Sequence, residues 1–539
     1  MTGRNEAWQE CGAEIWAPTA SEMAALDRSA VERGLASERT LIEAAGRELA
    51  RRIAASWPDG PICGLVGGGH NGADTMVALR TLAAWGRDVR AVLGGSAPPE
   101  PDVRAGWPIE LESPGSFADA PPTGGVLVDG LLGTGASGAP RSPQAELIER
   151  ANALGLPTVA ADLPSGADPT SGAVPGACVR ADLTVCFGWP KLGLLRYPAR
   201  GFAGRIEAVE IGFPPPDAPA DARVITARWV RDLLRPRRPE GHKGTSGYLL
   251  LAAGSHGMAG AAVLAGRAAY RTGAGIVRVL GDPDNRDIVQ RAVPGAIYVP
   301  WTGGDAAGGG ETVGTDDIAG AASVGDHVAW AHALAIGPGL GRAAGRRALL
   351  DELLESRGER PVVIDADGLN LFAHDPAALA ERLTSADVIT PHPGELERLL
   401  DRPTGDDPPA DAREAVERFG CVVVLKGNPT VVASRADPLR VAVTGGPALA
   451  VGGTGDVLTG AIGAALAGGY GPTDAATIAL LLTGLAAERT GFGDVGMLAE
   501  DIPEAIPGAR EAVAGLGPMP PGAVRFVLRP TSRSAEFGG

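Results

Sequence analysis

The feature that most constrains the fold is a repeated alternation of short apolar runs with helical patterns. Between residues 62 and 211, runs such as ICGLVGG, GVLVDGLLG and LTVCFGW alternate with segments of helical periodicity. A second series of the same kind follows residue 241, with YLLLAAGS, GIVRVLG and CVVVLKGN among its apolar runs. Strands that alternate with helices form mostly parallel sheets, because parallel neighbours need a crossover connection. The sequence therefore predicts an α/β fold with two three-layer αβα domains.

Two proline-rich segments mark the connection between these series. They are GFPPPDAPAD at 212–221 and RPRRPEG at 235–241, and such clusters are typical of linkers and turns. We predict a first domain over residues 1–225, a second over 226–515 and a C-terminal tail over 516–539. No repeat of fixed period relates the halves, so two different domains are expected rather than a duplication.

The charge balance excludes some classes of partner. The chain has 64 acidic and 48 basic residues, a formal net charge of −16, and its basic residues are dispersed. This pattern argues against nucleic-acid binding, and no apolar run reaches the roughly 18 residues of a membrane-spanning helix. Its five cysteines show no metal-ligand spacing. We expect a cytoplasmic protein that acts on small molecules, binds neither nucleic acid nor membrane, and forms homo-oligomers.

Lysine is rare, with three residues in the whole chain: Lys191, Lys243 and Lys426. An ammonium is a compact charge that fits sites where the broad arginine fork does not. The three lysines are therefore candidates for functional positions, although drift towards arginine explains the count equally simply. No catalytic role follows from the sequence for Lys191 or Lys243.

The second series contains a glycine turn that leads into a helix, GGTGDVLTGAIG. Gly452, Gly453 and Gly455 let backbone N–H groups converge at the positive end of the helix, where an anion can bind. Asp456 stands in the first helical turn and can accept a proton from a hydroxyl that attacks a phosphoryl group. The alternative is that Asp456 only caps the helix.

Other polar residues follow neighbouring strands of this series. Lys426 begins KGNPT after VVVL, His392 follows VIT, and GPGLG at 337–341 follows ALAI. Ligands of open α/β sheets bind at the carboxyl ends of the strands. For His392 a structural hydrogen-bonding role is an equally good interpretation.

The first series has its own glycine-rich turn, residues 67–74, between a strand and a helix. Asp129 follows the next strand, and Asp162 and Ser165 follow another. These strand ends offer oxygen ligands and loop amides to one crevice. Turn-stabilising contacts are the alternative for Asp129 and Ser165.

Several motifs of the second series together resemble the ADP-dependent NAD(P)H-hydrate dehydratase, a ribokinase-like fold, over about residues 235–510. They are HKGTSGYLLLAAGS, GPGLG, DADGLN, TPHPGE, LKGNPTVV and GGTGDVLTG. The resemblance implies nucleotide contacts at Lys426, Gly427, Asn428, Pro429, Thr430 and Gly455. It implies hydrate contacts at Ala262, Gly339, His392 and Asp456. Asp456 would act on the ring hydroxyl, ADP would donate the phosphoryl group, and Mg²⁺ would be needed, with Asp365, Asp367 or Glu395 as candidate helpers.

Motifs of the first series resemble the NAD(P)H-hydrate epimerase, a Rossmann-like fold, over about residues 19–213. They are LDRSAVERG, GGGHNGAD, VDGLLGTGASG, ADLPSGADPTSG and FGWPKLGLL. The resemblance implies substrate contacts at His70, Asn71, Gly72, Ala73, Asp74, Gly133, Thr134, Gly135, Ala136, Ser137, Gly138, Ala139 and Asp162. It implies K⁺ ligands at Asn71, Asp129 and Ser165, and Asp162 is the expected acid/base residue.

The first domain departs from the NNGGDG pattern of that family at three positions. His70 replaces the first asparagine, Ala73 a glycine, and Thr75 the last glycine. The overall prediction is a multifunctional lyase and isomerase that interconverts the R and S forms of NAD(P)HX and dehydrates the S form at the expense of ADP. Two alternatives stay open: a dehydratase whose first domain only binds or oligomerises, and a ribokinase-like kinase for a small-molecule hydroxyl.

Overall fold

The structure is a computed structural model, and it consists of two compact units. One unit comprises Met1–Thr226 with Gly517–Gly539, and the other Ala227–Leu516. The residues that the structure describes are 15–95, 98–99, 103–213, 220–237, 239–301, 323–343, 345–493, 495–516 and 526–529.

The first unit contains a mostly parallel sheet. The strands of this unit along the chain are β1 (Ile15–Trp16), β2 (Ile62–Val66), β3 (Val89–Leu93), β4 (Leu111–Glu112), β5 (Val126–Gly130), β6 (Thr158–Ala161), β7 (Leu183–Phe187), β8 (Arg205–Val209) and β9 (Ala222–Val224), and β2 to β8 belong to this sheet. The order β8-β7-β6-β5-β2-β3-β4 runs across the sheet, and all of these pairs are parallel. Strands β1 and β9 pair antiparallel with each other.

Helices cover both faces of this sheet. They are α1 (Ala20–Glu32), α2 (Glu38–Ser56), α3 (His70–Ala84), α4 (Pro114–Asp119) and α5 (Gln144–Leu154). Alternate residues of one strand face opposite layers: Val126 and Val128 join a core with α2 and α3, whereas Leu127 joins a core with α4 and α5. The αβα layering predicted for this half is therefore confirmed.

The second unit contains a larger mixed sheet. Its strands are β10 (Tyr248–Ala252), β11 (Ile276–Gly281), β12 (Ile297–Pro300), β13 (Ala333–Ile336), β14 (Val362–Ile364), β15 (Val388–Ile389), β16 (Val422–Leu425), β17 (Thr430–Ala433) and β18 (Leu439–Ala442). The order is β18-β17-β16-β15-β14-β13-β10-β11-β12, parallel from β16 to β12, while β17 and β18 run antiparallel to their neighbours. Every residue of β13 to β16 is buried, so both faces of the central sheet are covered.

The helices of this unit are α6 (Ala227–Leu233), α7 (Ala259–Thr272), α8 (Arg286–Ala292), α9 (Val324–Trp330), α10 (Arg346–Ser356), α11 (Asp367–Asn370), α12 (Pro376–Ala380), α13 (Pro393–Leu400), α14 (Pro408–Phe419), α15 (Thr454–Ala467), α16 (Pro472–Arg489) and α17 (Asp501–Ala514). Helix α15 is apolar on all sides and packs between the sheet, α7 and α16. A Cβ added at Gly460 would lie 2.0 Å from the carbonyl oxygen of Ala265, so glycine lets α15 approach α7 closely. None of the helices among the described residues has the length and apolarity that crossing a membrane requires.

The last described strand, β19 (Phe526–Leu528), pairs antiparallel with β8 and completes an 8-stranded sheet in the first unit. Phe526 is buried, and the Arg200 guanidinium donates to the carbonyl oxygen of Arg529. The sequence prediction of a tail over 516–539 did not include this strand.

Candidate active sites

In the second unit, loops from four neighbouring strands meet at their carboxyl ends. Gly337 follows β13, Asp365 follows β14, His392 follows β15 and Lys426 follows β16. A Cβ added at Gly337 would lie 1.8 Å from the backbone oxygen of Asp365, and the N–H of Lys426 donates to the carbonyl oxygen of Pro391 at 2.9 Å. The parallel sheet thus brings these polar residues together, as expected for a ligand site.

An ion pair between the buried Asp365 and the partly buried Lys426 lies at this edge. The ammonium of Lys426 donates to Oδ1 of Asp365 at 2.6 Å, and Thr459 of α15 donates its hydroxyl to Oδ2 at 2.6 Å. Burial lowers the pKa of Lys426, but the charges of Asp365, Glu395 and Asp456 outweigh it, so the pKa lies above its ordinary value. Lys426 therefore carries its charge next to the glycine turn. The sequence analysis predicted a nucleotide contact for Lys426 but not its bond to Asp365.

Asp456 stands beside this pair. Helix α15 begins after Gly453, whose φ of 95° is in the left-handed region that favours glycine. A Cβ added at Gly455 would lie 3.6 Å from both Oδ2 of Asp365 and Nζ of Lys426, so the turn runs along the pair. Burial and then the charge of Asp365 raise the pKa of Asp456 to about 7, although Lys426 opposes the shift. Asp456 can therefore exchange a proton near neutral pH.

The structure gives His392 a structural role while leaving part of its ring accessible. Its Nδ1 accepts from the N–H of Glu395 at 3.3 Å, and the Glu395 carboxylate accepts the N–H of His392 at 2.9 Å. This reciprocal arrangement starts α13. The His392 side chain is still 51% exposed, so a ligand contact is compatible with capping.

The remaining predicted contacts lie on two loops and one helix. Ala262 is buried on α7, 3.2 Å from where a Cβ at Gly254 would lie, and the N–H of Ser255 donates to the Gly339 carbonyl oxygen at 2.6 Å. The Gly427–Thr430 turn closes on itself, because the Thr430 hydroxyl donates to the Gly427 carbonyl oxygen at 2.9 Å. Gly427 and Asn428 are exposed, and Pro429 follows a cis peptide bond.

In the first unit, Asp129 and Ser165 form a buried hydrogen-bonded pair. The Ser165 hydroxyl donates to Oδ1 of Asp129 at 2.7 Å, and its N–H donates to Oδ2 at 2.8 Å. Burial raises the pKa of Asp129 to about 6, although the bonds from Ser165 oppose the shift. Both residues are at most 1% exposed.

Asn71 lies next to this pair through the Leu132 peptide. Its Nδ2 donates to the Leu132 carbonyl oxygen at 2.8 Å, and the Leu132 N–H donates to Oγ of Ser165 at 2.9 Å. Among the described residues, the buried Oδ1 of Asn71 has no hydrogen-bond partner. A buried oxygen without a donor is costly, which indicates that something else satisfies it.

The glycine loop of the first unit packs tightly against its neighbours. A Cβ at Gly72 would lie 1.9 Å from the carbonyl oxygen of Gly67, and one at Gly67 would lie 2.0 Å from that of Leu131. Ala73 is fully buried in the core shared by α2 and α3. Any substrate contact at Ala73 would therefore use its backbone.

The other two departures from the family pattern place one side chain in the interior and one at the surface. The Thr75 hydroxyl is buried and donates to the Asn71 carbonyl oxygen at 2.9 Å. The His70 ring lies at the surface, with Nε2 2.5 Å from Oε1 of Glu38.

The predicted 133–139 segment lines a small cavity in the first unit. Gly133, Ala136 and Gly138 form one side, and Leu163 and Gly166 are among the residues of the other. A Cβ at Gly133 would lie 3.2 Å from Cβ of Asn71. The segment, which also includes Thr134, Gly135, Ser137 and Ala139, is largely exposed.

Asp162 follows β6 with a φ of 64°, which is uncommon for a residue other than glycine. Its Oδ1 accepts from the Phe187 N–H at 2.9 Å and from the ammonium of Lys191. Sequence reasoning did not assign Lys191 to this site. The rarity of lysine was the available signal. Thr459, which bonds Asp365, and the Leu132 peptide, which joins Asn71 to Ser165, have no sequence feature that would have marked them as parts of the sites.

Two family models match the chain: NAD(P)H-hydrate dehydratase over residues 249–508 and YjeF-related protein N-terminus over 38–193. The bifunctional NAD(P)H-hydrate repair enzyme Nnr of Escherichia coli is 36% identical over 453 residues, which cover 81% of this chain and 82% of that protein. Its namesake from Salinibacter ruber is 35% identical over 522 residues, covering 91% and 95%. A solved ADP/ATP-dependent NAD(P)H-hydrate dehydratase from Bacillus subtilis, 31% identical, covers 53% of this chain and 97% of its own, with a TM-score of 0.44. Because these two Nnr enzymes are 36% and 35% identical to the chain over 82% and 95% of their own lengths, the chain belongs to the family of bifunctional NAD(P)H-hydrate repair enzymes.

Proposed function

We propose that the chain restores NADH and NADPH from their hydrates, with one reaction in each unit. The first unit interconverts the R and S forms of NAD(P)HX, and the second dehydrates the S form with ADP, giving AMP and phosphate. The observation that carries the proposal is Asp456, a carboxyl group with a pKa of about 7 at the start of a helix that follows a glycine turn. Coupling the two reactions lets a stereoselective dehydration consume both epimers.

In the dehydration, Asp456 accepts the proton of the ring hydroxyl. The hydroxyl oxygen bonds to the β-phosphorus of ADP as the bond between that phosphorus and AMP breaks. The ring nitrogen lone pair then expels phosphate, and loss of a proton from the adjacent carbon restores the double bond. Backbone amides at the start of α15 stabilise the phosphoryl charge, and the Lys426 ammonium adds a positive charge nearby.

The acidic residues suggested as Mg²⁺ ligands already have partners. Asp365 accepts hydrogen bonds from Lys426 and Thr459. Asp367 accepts the Gly341 N–H at 2.9 Å, and the Glu395 carboxylate accepts the His392 N–H. Mg²⁺ usually keeps several waters and binds substrate phosphates with few protein ligands. We therefore propose that Mg²⁺ would be held mainly by the phosphates of the nucleotide, where it would supply positive charge.

In the first unit, Asn71, Asp129 and Ser165 fit a K⁺ ion. Asn71, whose Oδ1 is unsatisfied, donates its Nδ2 to the Leu132 peptide that also contacts Ser165. Asp129 is buried without a basic partner among the described ion pairs, and a buried carboxylate needs a compensating charge. Several oxygens without strict geometry suit this weakly hydrated cation. K⁺ would order the loops after β2, β5 and β6, and Asp162 would supply acid/base chemistry at the hydroxyl-bearing carbon.

The test is to incubate the full chain with mixed NADHX epimers, with and without ADP, and to follow the absorbance of the reduced nicotinamide. Fast conversion of all the hydrate with ADP, and none without it, supports both reactions. Conversion of the S fraction alone, with the rest limited by spontaneous epimerisation, would show that the first unit only binds. A stable phosphorylated product without recovery of NADH would favour the ribokinase-like kinase.

We also propose a cytoplasmic location, which the four described cysteines support because all are free and buried. The expected homo-oligomer stays a prediction, and light scattering on the purified chain tests it. The two units are proposed to be the two functional domains.

A further inference from the structure

Lys191 is a fully buried lysine in the first unit. It is 0% exposed and follows β7 in the chain. Its ammonium donates to Oδ1 of Asp162 and to the Phe187 carbonyl oxygen, the latter at 3.3 Å. Lysine is almost never fully buried unless it is paired. The pairing with Asp162 is therefore the reason that this position can hold a charge.

Two further carboxyl groups face the same ammonium. Asp27 comes from α1 and Asp74 from α3, and both interact electrostatically with Lys191 and Asp162. Burial raises the pKa of Asp27 to about 6. Burial, followed by the charges of Asp162 and Asp27, raises the pKa of Asp74 well above its ordinary value.

Other titratable groups around this cluster are few. The charges of His70 and Arg28 have the smallest effects on the pKa of Asp27. Burial raises the pKa of the Cys186 thiol to about 12, and the charge of Lys191 opposes this shift. One ammonium cannot balance three carboxylates that are at least partly removed from water. The one direct bond from Lys191 to a carboxyl group in this cluster goes to Asp162.

The bond also orients Asp162. Both donors, the Phe187 N–H and the Lys191 ammonium, bind Oδ1, and no hydrogen bond to Oδ2 is recorded among the described residues. The side chain is 14% exposed. One oxygen is thus fixed in the protein, and the other is left for a ligand.

We propose that Lys191 is a positioning residue for epimerisation, whose ammonium holds Asp162 as an oriented carboxylate beside the neighbouring Asp27 and Asp74. The proposal rests on the role given to Asp162 above. It explains why a lysine is kept here in a chain that otherwise uses arginine: the site is closed, and a compact ammonium reaches one carboxylate oxygen where a broad guanidinium would not fit.

The experiment measures epimerisation by the full chain as a function of pH, with the spontaneous rate subtracted by means of a heat-inactivated control. In Lys191→Met the side chain keeps its length but loses its charge, so Asp162 loses the positive charge that is bonded to its Oδ1. The rise of the rate with pH should move to higher pH by about one to three units, the usual effect of removing an adjacent opposite charge. Dehydration of the purified S form should be unchanged, as it should be in the matched control Lys243→Met, which alters an exposed lysine.

A merely structural lysine gives a different result. Lys191→Met would then lose the same fraction of activity at every pH, and this outcome would overturn the proposal. Asp162→Asn tests the underlying role: full epimerisation in that variant would refute the assignment of Asp162, whereas its inactivity combined with a wild-type pH profile in Lys191→Met would refute Lys191 alone.

A second variant keeps the test decisive if Lys191→Met fails to fold. Asp27→Asn removes a competing carboxyl group and retains the shape and Lys191. Its rate should rise at lower pH than in the wild type, because Asp27 and Asp162 repel each other as like charges and asparagine carries no charge. A rise at unchanged or higher pH would contradict the proposal.

Discussion

The ammonium of Lys426 and the hydroxyl of Thr459 hold the two oxygens of the Asp365 carboxylate, each at 2.6 Å. Donors therefore occupy both oxygens of this buried group. Burial, and then the charge of Asp365, raise the pKa of Asp456 to about 7. The two carboxyl groups of this site therefore differ in role: Asp365 is held by hydrogen bonds, and Asp456 is the group that exchanges protons near neutral pH.

Asp456→Asn should abolish dehydration while nucleotide binding stays nearly intact, because the change removes the proton acceptor and keeps the shape. The expected loss in kcat is about 10²–10⁴-fold, the usual contribution of a general base. Dehydration of S-NADHX measures the rate, and calorimetry with ADP measures the affinity. Near wild-type turnover would exclude Asp456 as the base.

The kcat/KM of dehydration should rise with pH around 7, because a base must be deprotonated and the pKa of Asp456 is about 7. Asp365→Asn removes a negative charge that raises the pKa of Asp456. The variant also frees Lys426 from its ion pair, and the positive charge of Lys426 lowers the pKa of Asp456. Both effects act in the same direction, so the rise should move to lower pH. A move to higher pH in this variant would contradict the charge coupling.

Lys426→Arg should weaken ADP binding even though the charge is kept, because the guanidinium does not fit the place of an ammonium bonded to Asp365 beside Gly455. We expect about a ten- to hundredfold higher Kd, the effect of losing one charge-assisted hydrogen bond. Lys243→Arg makes the same change at an exposed position and should bind ADP normally. Equal affinity for ADP in the wild type, Lys426→Arg and Lys243→Arg would mean that arginine binds ADP as well as lysine does at position 426.

Epimerisation should require K⁺ and fall when Na⁺ replaces it at equal ionic strength. Asp129→Ala should remove both the activity and its dependence on the ion, since it deletes the buried charge bonded to Ser165. Dehydration of the S form in the same two salts shows whether the effect belongs to the first unit. Equal epimerisation rates in K⁺ and Na⁺ would refute the ion site.

Gly72→Ala should disrupt the glycine loop, because the new methyl would lie 1.9 Å from the Gly67 carbonyl oxygen. We expect loss of epimerisation and a lower Tm for the first unit, with dehydration retained. Gly69→Ala is the matched control in the same loop, since its Cβ would have no atom within 4 Å. Similar behaviour of the two variants would mean that the loop is not packed as described.

The sequence could predict which residues lie at strand ends, because apolar runs locate the strands and the sheet brings their carboxyl ends together. Asp162, His392 and Lys426 follow strands as expected, and Asp129 is the next-to-last residue of β5. Their partners could not be predicted. Lys426 after β16 reaches Asp365 after β14, across the intervening β15, and such reach depends on sheet order and side-chain direction.

The same limit applies to Lys191 and Ala73. The sequence marked Lys191 as unusual but gave no partner, since Asp162 is 29 residues away. It marked Ala73 as a departure within a ligand loop, whereas the structure places its methyl group in the core. Helical periodicity alone does not show which side of a short glycine-rich turn faces a ligand.

Strand β19 has a consequence for the synthesis of the chain. The edge of the first sheet that β19 occupies, next to β8, cannot be filled until the ribosome has made all of the second unit and released residues 526–528. During that interval the hydrogen-bonding groups of β8 on that side are exposed to other nascent chains or chaperones. Release of a shortened chain would leave this edge open permanently, so a product truncated before residue 526 should aggregate more readily even though every residue of both sites is present.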